Sequence, residues 1–228
     1  MNRWRAALVV AALACIAAKD PLAVDLPELE EMQGMSSTWA AKKMAMNGVP
    51  MTIKTFTTPK SAEKVLEFYE REWKQAGLDA NRQDFGKYTT VATAQGNYFY
   101  SVQVRDASGG VSEGRITVSA RVKGSSKDTS FPLPRRSETV SKIDSLDAGK
   151  RAESIVAYAP GSAVQNAQWY ERELRRQGWA KDPYAKELQS AEKVLVFQRN
   201  AELCQLTFVP NQPGHRGKTM LLIHWVKG

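Results

Sequence analysis

The chain has 228 residues, 43% hydrophobic and 25% charged, a balance that excludes a largely disordered polypeptide. Its 32 Lys and Arg against 24 Asp and Glu give a formal charge of +8, which favours anionic partners as a class without selecting one. Two cysteines, Cys15 and Cys204, and two histidines, His215 and His224, lie at no metal-ligand spacing, so no metal or cofactor is expected.

Residues 1–18 read as an export signal. Basic MNRWR is followed by the apolar run AALVVAALACIAA, too short for a comfortable membrane span. Ala12-Leu13-Ala14-Cys15 also admits lipidation at Cys15, although Leu13 stands one place nearer the cysteine than a lipidation motif usually has it. The expected location is therefore periplasmic. Membrane contact is expected only through such a lipid or through an uncleaved signal anchor. Cleavage leaves Cys204, which shares a strand face with Leu206 and Phe208 in LCQLTFV and reads as a buried apolar residue rather than a reactive thiol.

Residues 19–34 form an acidic lead, with VDLPELEEM as a flexible segment or a short helix. Residues 35–123 and 137–228 then present one pattern twice. Pro59 and Pro160, Ser61 and Ser162, the two Tyr-Glu-Arg-Glu runs at Tyr69 and Tyr170, and Gly77 and Gly178 all stand 101 positions apart. A constant register of this kind predicts an internal duplication.

In each copy a hairpin comes first. STWAAKKMAM, Asn47-Gly48 and VPMTIKTFTT read as strand, tight turn and strand, and ETVSKIDSLD with RAESIVAYA forms the second version. A helix follows. Val65, Leu66, Tyr69 and Trp73 fall on one helical face, as do Ala163, Ala167, Tyr170 and Leu174, with Ser61 and Ser162 as N-caps and Gly77 and Gly178 as stops. Three strands complete each copy. Tyr98, Tyr100, Val102 and Val104 alternate with Ser101, Gln103 and Arg105, as a half-buried antiparallel strand requires. Residues 124–136, polar and carrying two prolines, read as an exposed linker. The expected fold class is thus α+β: two tandem two-layer modules, each an antiparallel sheet of about ββαβββ covered by one amphipathic helix. Strand, Pro, helix with an aromatic-Tyr pair, then Gly-Leu or Gly-Trp and strands, is similar in architecture to small α+β modules of bacterial envelope proteins. The resemblance carries no motif that transfers a site.

No Gly-x-Ser-x-Gly elbow, phosphate-binding loop or dinucleotide fingerprint occurs, and no catalytic residue is assigned. Tyr98 and Tyr100 share a face with Val102 and Val104, so they point to the core rather than to stacked bases, and no nucleic acid is expected. The reading is a non-catalytic exported cell-envelope protein, a protein-binding, scaffolding or assembly accessory module. Its partner is an envelope protein or an anionic envelope component. Phe99, Trp169 and Trp225 lie off the assigned core stripes and form the candidate partner surface. A periplasmic carrier of a small apolar ligand or lipid is the alternative, and it predicts an apolar cavity. A hydrolytic enzyme using His224 comes third and needs an acidic partner in a cleft.

Overall fold

The computed structural model describes residues 20–122, 126–147, 149–182, 193–210 and 212–228. After a short 3-10 turn at Pro21–Ala23 come β1 (Ser36–Met46), β2 (Val49–Thr58), α1 (Ala62–Gln75), β3 (Asn81–Phe85), β4 (Tyr88–Gln95), β5 (Tyr98–Asp106) and β6 (Ser112–Ala120). The second half follows with β7 (Glu138–Asp147), β8 (Lys150–Pro160), α2 (Ala163–Arg176), β9 (Ala180–Lys181), β10 (Lys193–Arg199), β11 (Glu202–Pro210) and β12 (Lys218–Val226).

Both helices begin and end for reasons visible in their residues. Ser61 accepts a hydrogen bond from the Lys64 amide, and Ser162 forms a capping box with Gln165, which satisfies amides the helix itself leaves free. Gly77 and Gly178 take φ of 73° and 82°. That left-handed step lets the amides of Leu78 and Trp179 return to the carbonyls of Trp73 and Leu174 at 2.8 and 3.0 Å, a Schellman ending. The apolar stripes face inward: Val65, Leu66, Tyr69 and Trp73 on α1, and Ala163, Ala167, Tyr170 and Leu174 on α2, are all buried.

The strands form one antiparallel sheet in the order β3-β4-β5-β6-β2-β1-β7-β8-β12-β11-β10-β9. The molecule is therefore mainly β, with two helices against twelve strands among the described residues. This corrects the expectation of two tandem α+β modules of ββαβββ. Two features account for the difference. Short edge strands β3 and β9 extend each end of the sheet. In the middle, β1 and β7 pair antiparallel through Met44–Ser145, Ala45–Asp144 and Met46–Ile143, so backbone groups that would be free edges bond to each other. Asn47, in the β1–β2 turn at φ 52°, tightens this seam. Its amide donates to the Lys142 carbonyl at 2.7 Å, and its Oδ1 accepts from the Lys142 amide at 2.9 Å. Outward from the seam, the paths β1–β6 and β7–β12 run through the same strand order.

Cross-strand partners point to the same side of a sheet, which lets the two sides be followed from end to end. On one side lie Phe56, Val91, Val102, Ile116 and Val118 beneath α1, and Leu195, Phe197, Cys204, Leu206, Phe208, Leu221 and Ile223 beneath α2. The chain of partners Ala45, Asp144, Glu153 and Trp225 joins these two cores across the seam on that same side. Both helices thus cover one side. The halves lie edge to edge in the plane of the sheet.

Two extended straps fill the helix side between α1 and α2. Asp20–Met35 precedes β1, burying Leu22 and Met32, and the Tyr69 hydroxyl donates to its Glu30 carbonyl at 3.1 Å. Residues 126–137 precede β7, and the Tyr170 hydroxyl donates to the Pro132 carbonyl at 3.0 Å. Within that second strap, read from sequence as an exposed linker, Phe131 is only 3% exposed and stacks on Tyr170 in the core.

Candidate interaction face

Among the described residues, the opposite side of the sheet carries no helix and no strap. Its side chains follow from the register alone. One row runs from Phe99 on β5 through Met51, Met44, Ser145 and Val226 to Leu203 on β11. A second passes through Val49, Met46, Ile143, Ser154, His224 and Gln205. A third holds Ser141, Val156, Leu222 and Thr207. No Lys, Arg, Asp or Glu occupies any of these positions. Met46, Phe99, Leu203 and Leu222 are exposed, at 41%, 47%, 38% and 37%. An uncharged face over several strands, with large apolar side chains exposed among neutral polar ones, is unusual where only water is met.

Charges on this side stand outside these rows: Arg115 on β6 and Lys150 at the start of β8 share it by register and are exposed, and others have partners. Arg105 bonds to Glu113 and lies over the Tyr88 ring. Lys218 meets Glu138 at 3.4 Å. Arg121 sits over the Phe99 ring, 5.3 Å from its centroid.

The three expected surface aromatics do not come together. Phe99 is on the bare side. Trp169 is on α2, packed edge-on against Tyr170 on the helix side. Trp225 is 8% exposed, in the core beneath α2, between Phe131 and the Lys227 ammonium. Strand parity puts it there: Trp225 follows Leu221 and Ile223 on one face of β12. Cys15 and the export signal lie outside the described residues. Cys204 is fully buried, and burial pushes its thiol up, away from thiolate chemistry at neutral pH.

His224 belongs to the bare side. Its Nδ1 lies 3.0 Å from the Ser154 hydroxyl of the neighbouring strand. The cross-strand neighbours that extend this row, Ile143 and Gln205, supply no carboxylate. Among the described residues, an open depression of about 430 Å³ lies on the outer side of α2, formed by the side chains of Gln168, Glu171, Arg172, Arg175 and Arg176. Another, of about 10 Å³, lies between the first strap and the β1–β2 hairpin. No group of acidic, His and Cys residues among the described residues could hold a metal ion, and none of their helices is long and apolar enough to cross a membrane.

The Met residues of this face were missed in sequence, although one signal was present. Met220-Leu221-Leu222-Ile223 is an unbroken apolar run within β12. A half-solvated strand alternates, whereas a run of this kind marks a strand with apolar neighbours on both sides. No protein-family model, curated protein or solved structure matches the chain.

Proposed function

We propose that this chain is a non-catalytic binding and scaffolding protein of the cell envelope that docks a protein partner on the bare side of its sheet. The observation that carries the reading is the run of cross-strand rows without an ionised side chain, set around exposed Met46 and Leu222. Burial of such a surface against another protein is the ordinary source of association free energy. Export through residues 1–18 supplies the location.

The test is site-specific photo-crosslinking in intact cells. A benzophenone side chain is placed at Met46 or Leu222 and, as control, at Val164, which is 55% exposed on α2. Protein adducts are expected from the first two positions and not from the third. Adducts of equal yield from Val164, or none from Met46 and Leu222, overturn the proposal.

A further inference from the structure

We infer that the occupant of the bare side is a second copy of this chain, seated sheet against sheet; this rests on the docking reading above. Three observations converge on it. First, the rows that make up the patch carry no charge to be answered. Its central rows are free of Lys, Arg, Asp and Glu, and the marginal pairs Arg105–Glu113 and Lys218–Glu138 are already neutralised within the chain. An uncharged apolar surface is complementary to itself, whereas a chain carrying +8 overall repels its own copy on any surface that shares that charge.

Second, the area suffices. The six adjacent strands β2, β1, β7, β8, β12 and β11, at about 4.8 Å spacing and about 30 Å length, give a footprint of roughly 850 Å². A stable interface takes about 800 Å² from each partner.

Third, the sheet is close to two-fold in strand order, though not in its side chains. Met44 faces Ser145 across the seam, and strand order repeats outward on both sides. A closed dimer requires one patch to meet itself, and two twisted sheets stack face to face with strands about 30° apart. Met44, Met46 and Met51 line the β1–β2 side of the seam, and unbranched thioethers adapt readily to a facing layer.

Sedimentation velocity of the full chain lacking its export signal tests this. A species of twice the chain mass is expected at concentrations up to about 100 µM. Leu222→Glu and Met46→Glu should each weaken dimerisation by roughly 100-fold, because each leaves an unpaired carboxylate in a dry interface. Val164→Glu should leave it unchanged. If a variant does not fold, purified chain with the benzophenone at Leu222 reports the same contact and should yield an adduct of twice the chain mass. A monomer at every concentration, or a dimer that folded Leu222→Glu and Met46→Glu leave intact, overturns the inference. Purified monomer together with cellular Leu222 adducts to a different protein removes the second copy and leaves the docking reading standing. Absence of any adduct removes both.

Discussion

The strap before β1 and the strap before β7 each lie against one helix and give a carbonyl to its tyrosine, Glu30 to Tyr69 and Pro132 to Tyr170. They are held down by different chemistry. The first adds a row of ion pairs to its buried Leu22 and Met32: Asp20 to Arg151, Asp25 to Lys43, and Glu28 and Glu31 to Lys54, whose ammonium also lies over the Trp39 ring. The second is anchored by an aromatic side chain. Phe131 sits between Tyr170 and Trp225, and Thr129 donates to buried Glu153, which also receives Lys227. The tyrosine bond sets where each strap crosses its helix, and the side chains around it set how firmly the strap is held. Apolar burial in a closed core is worth several times an exposed ion pair.

That difference can be broken most directly at the anchors. Phe131→Ala should cost about 3–5 kcal/mol, the range for deleting a buried aromatic ring. Met32→Ala, under the first strap, should cost about 2 kcal/mol, because the site borders the strap's solvated side. Urea denaturation midpoints compare the two variants, and equal losses would show that the two straps are held alike.

The tyrosines sharpen it. Tyr69→Phe and Tyr170→Phe each remove one hydroxyl and leave a carbonyl without its donor, at about 1 kcal/mol apiece. Tyr170 should show the larger loss. It is enclosed by Phe131 and Phe208, whereas Tyr69 stands near Glu30 and Glu31. Burial pushes both phenols up, so neither contributes a charge in the working range. A Tyr69→Phe loss exceeding that of Tyr170→Phe in the same urea series would reverse the order.

The smallest effect is the pH dependence of the first strap. A hydrogen bond from Lys54 holds the Glu31 carboxyl below its ordinary 4.5, and one from Arg151 holds Asp20 below 3.8. A carboxyl lowered on folding stabilises the fold above its ordinary pKa, and loses that contribution as pH falls through the lowered value. Glu153 behaves alike under the second strap: burial alone would raise it, but the bonds from Lys227 and Thr129 prevail. Acid therefore weakens both straps below about pH 4.5, and Glu31→Gln separates them. Its loss at neutral pH should be under about 1 kcal/mol, with a flatter acid limb in urea melts from pH 7 downward. An unchanged acid limb would show that Glu31 contributes nothing there.

Much of the local structure was legible in sequence because it depends on neighbours along the chain. Ser61, Ser162, Gly77 and Gly178 mark helix ends through bonds that span only a few residues. Asn47-Gly48 marks a turn, and Tyr98 to Val104 alternate as they must on β5. Edge strand β3 was not legible. Asn81–Phe85 is exposed along its whole length, so it needs no apolar alternation, and pairing with β4 alone makes it a strand. Of the candidate surface aromatics, Phe99 could be placed off the core stripe by parity. Trp225 could not be told from a surface residue without Phe131 and Lys227 beside it.

By itself the sequence determined where helices and hairpins start and stop, and which helical face turns inward. The tertiary structure alone decided that β1 and β7 join twelve strands into one sheet, that both helices share a side, and that Phe131 leaves the connecting segment for the core. The reason is physical. Caps, turns and periodicity act within one or two turns of chain, whereas a seam between residues 97 to 101 positions apart adds little pattern to either strand. Its backbone bonds are open to almost any side chain, and only the assembled fold selects among them.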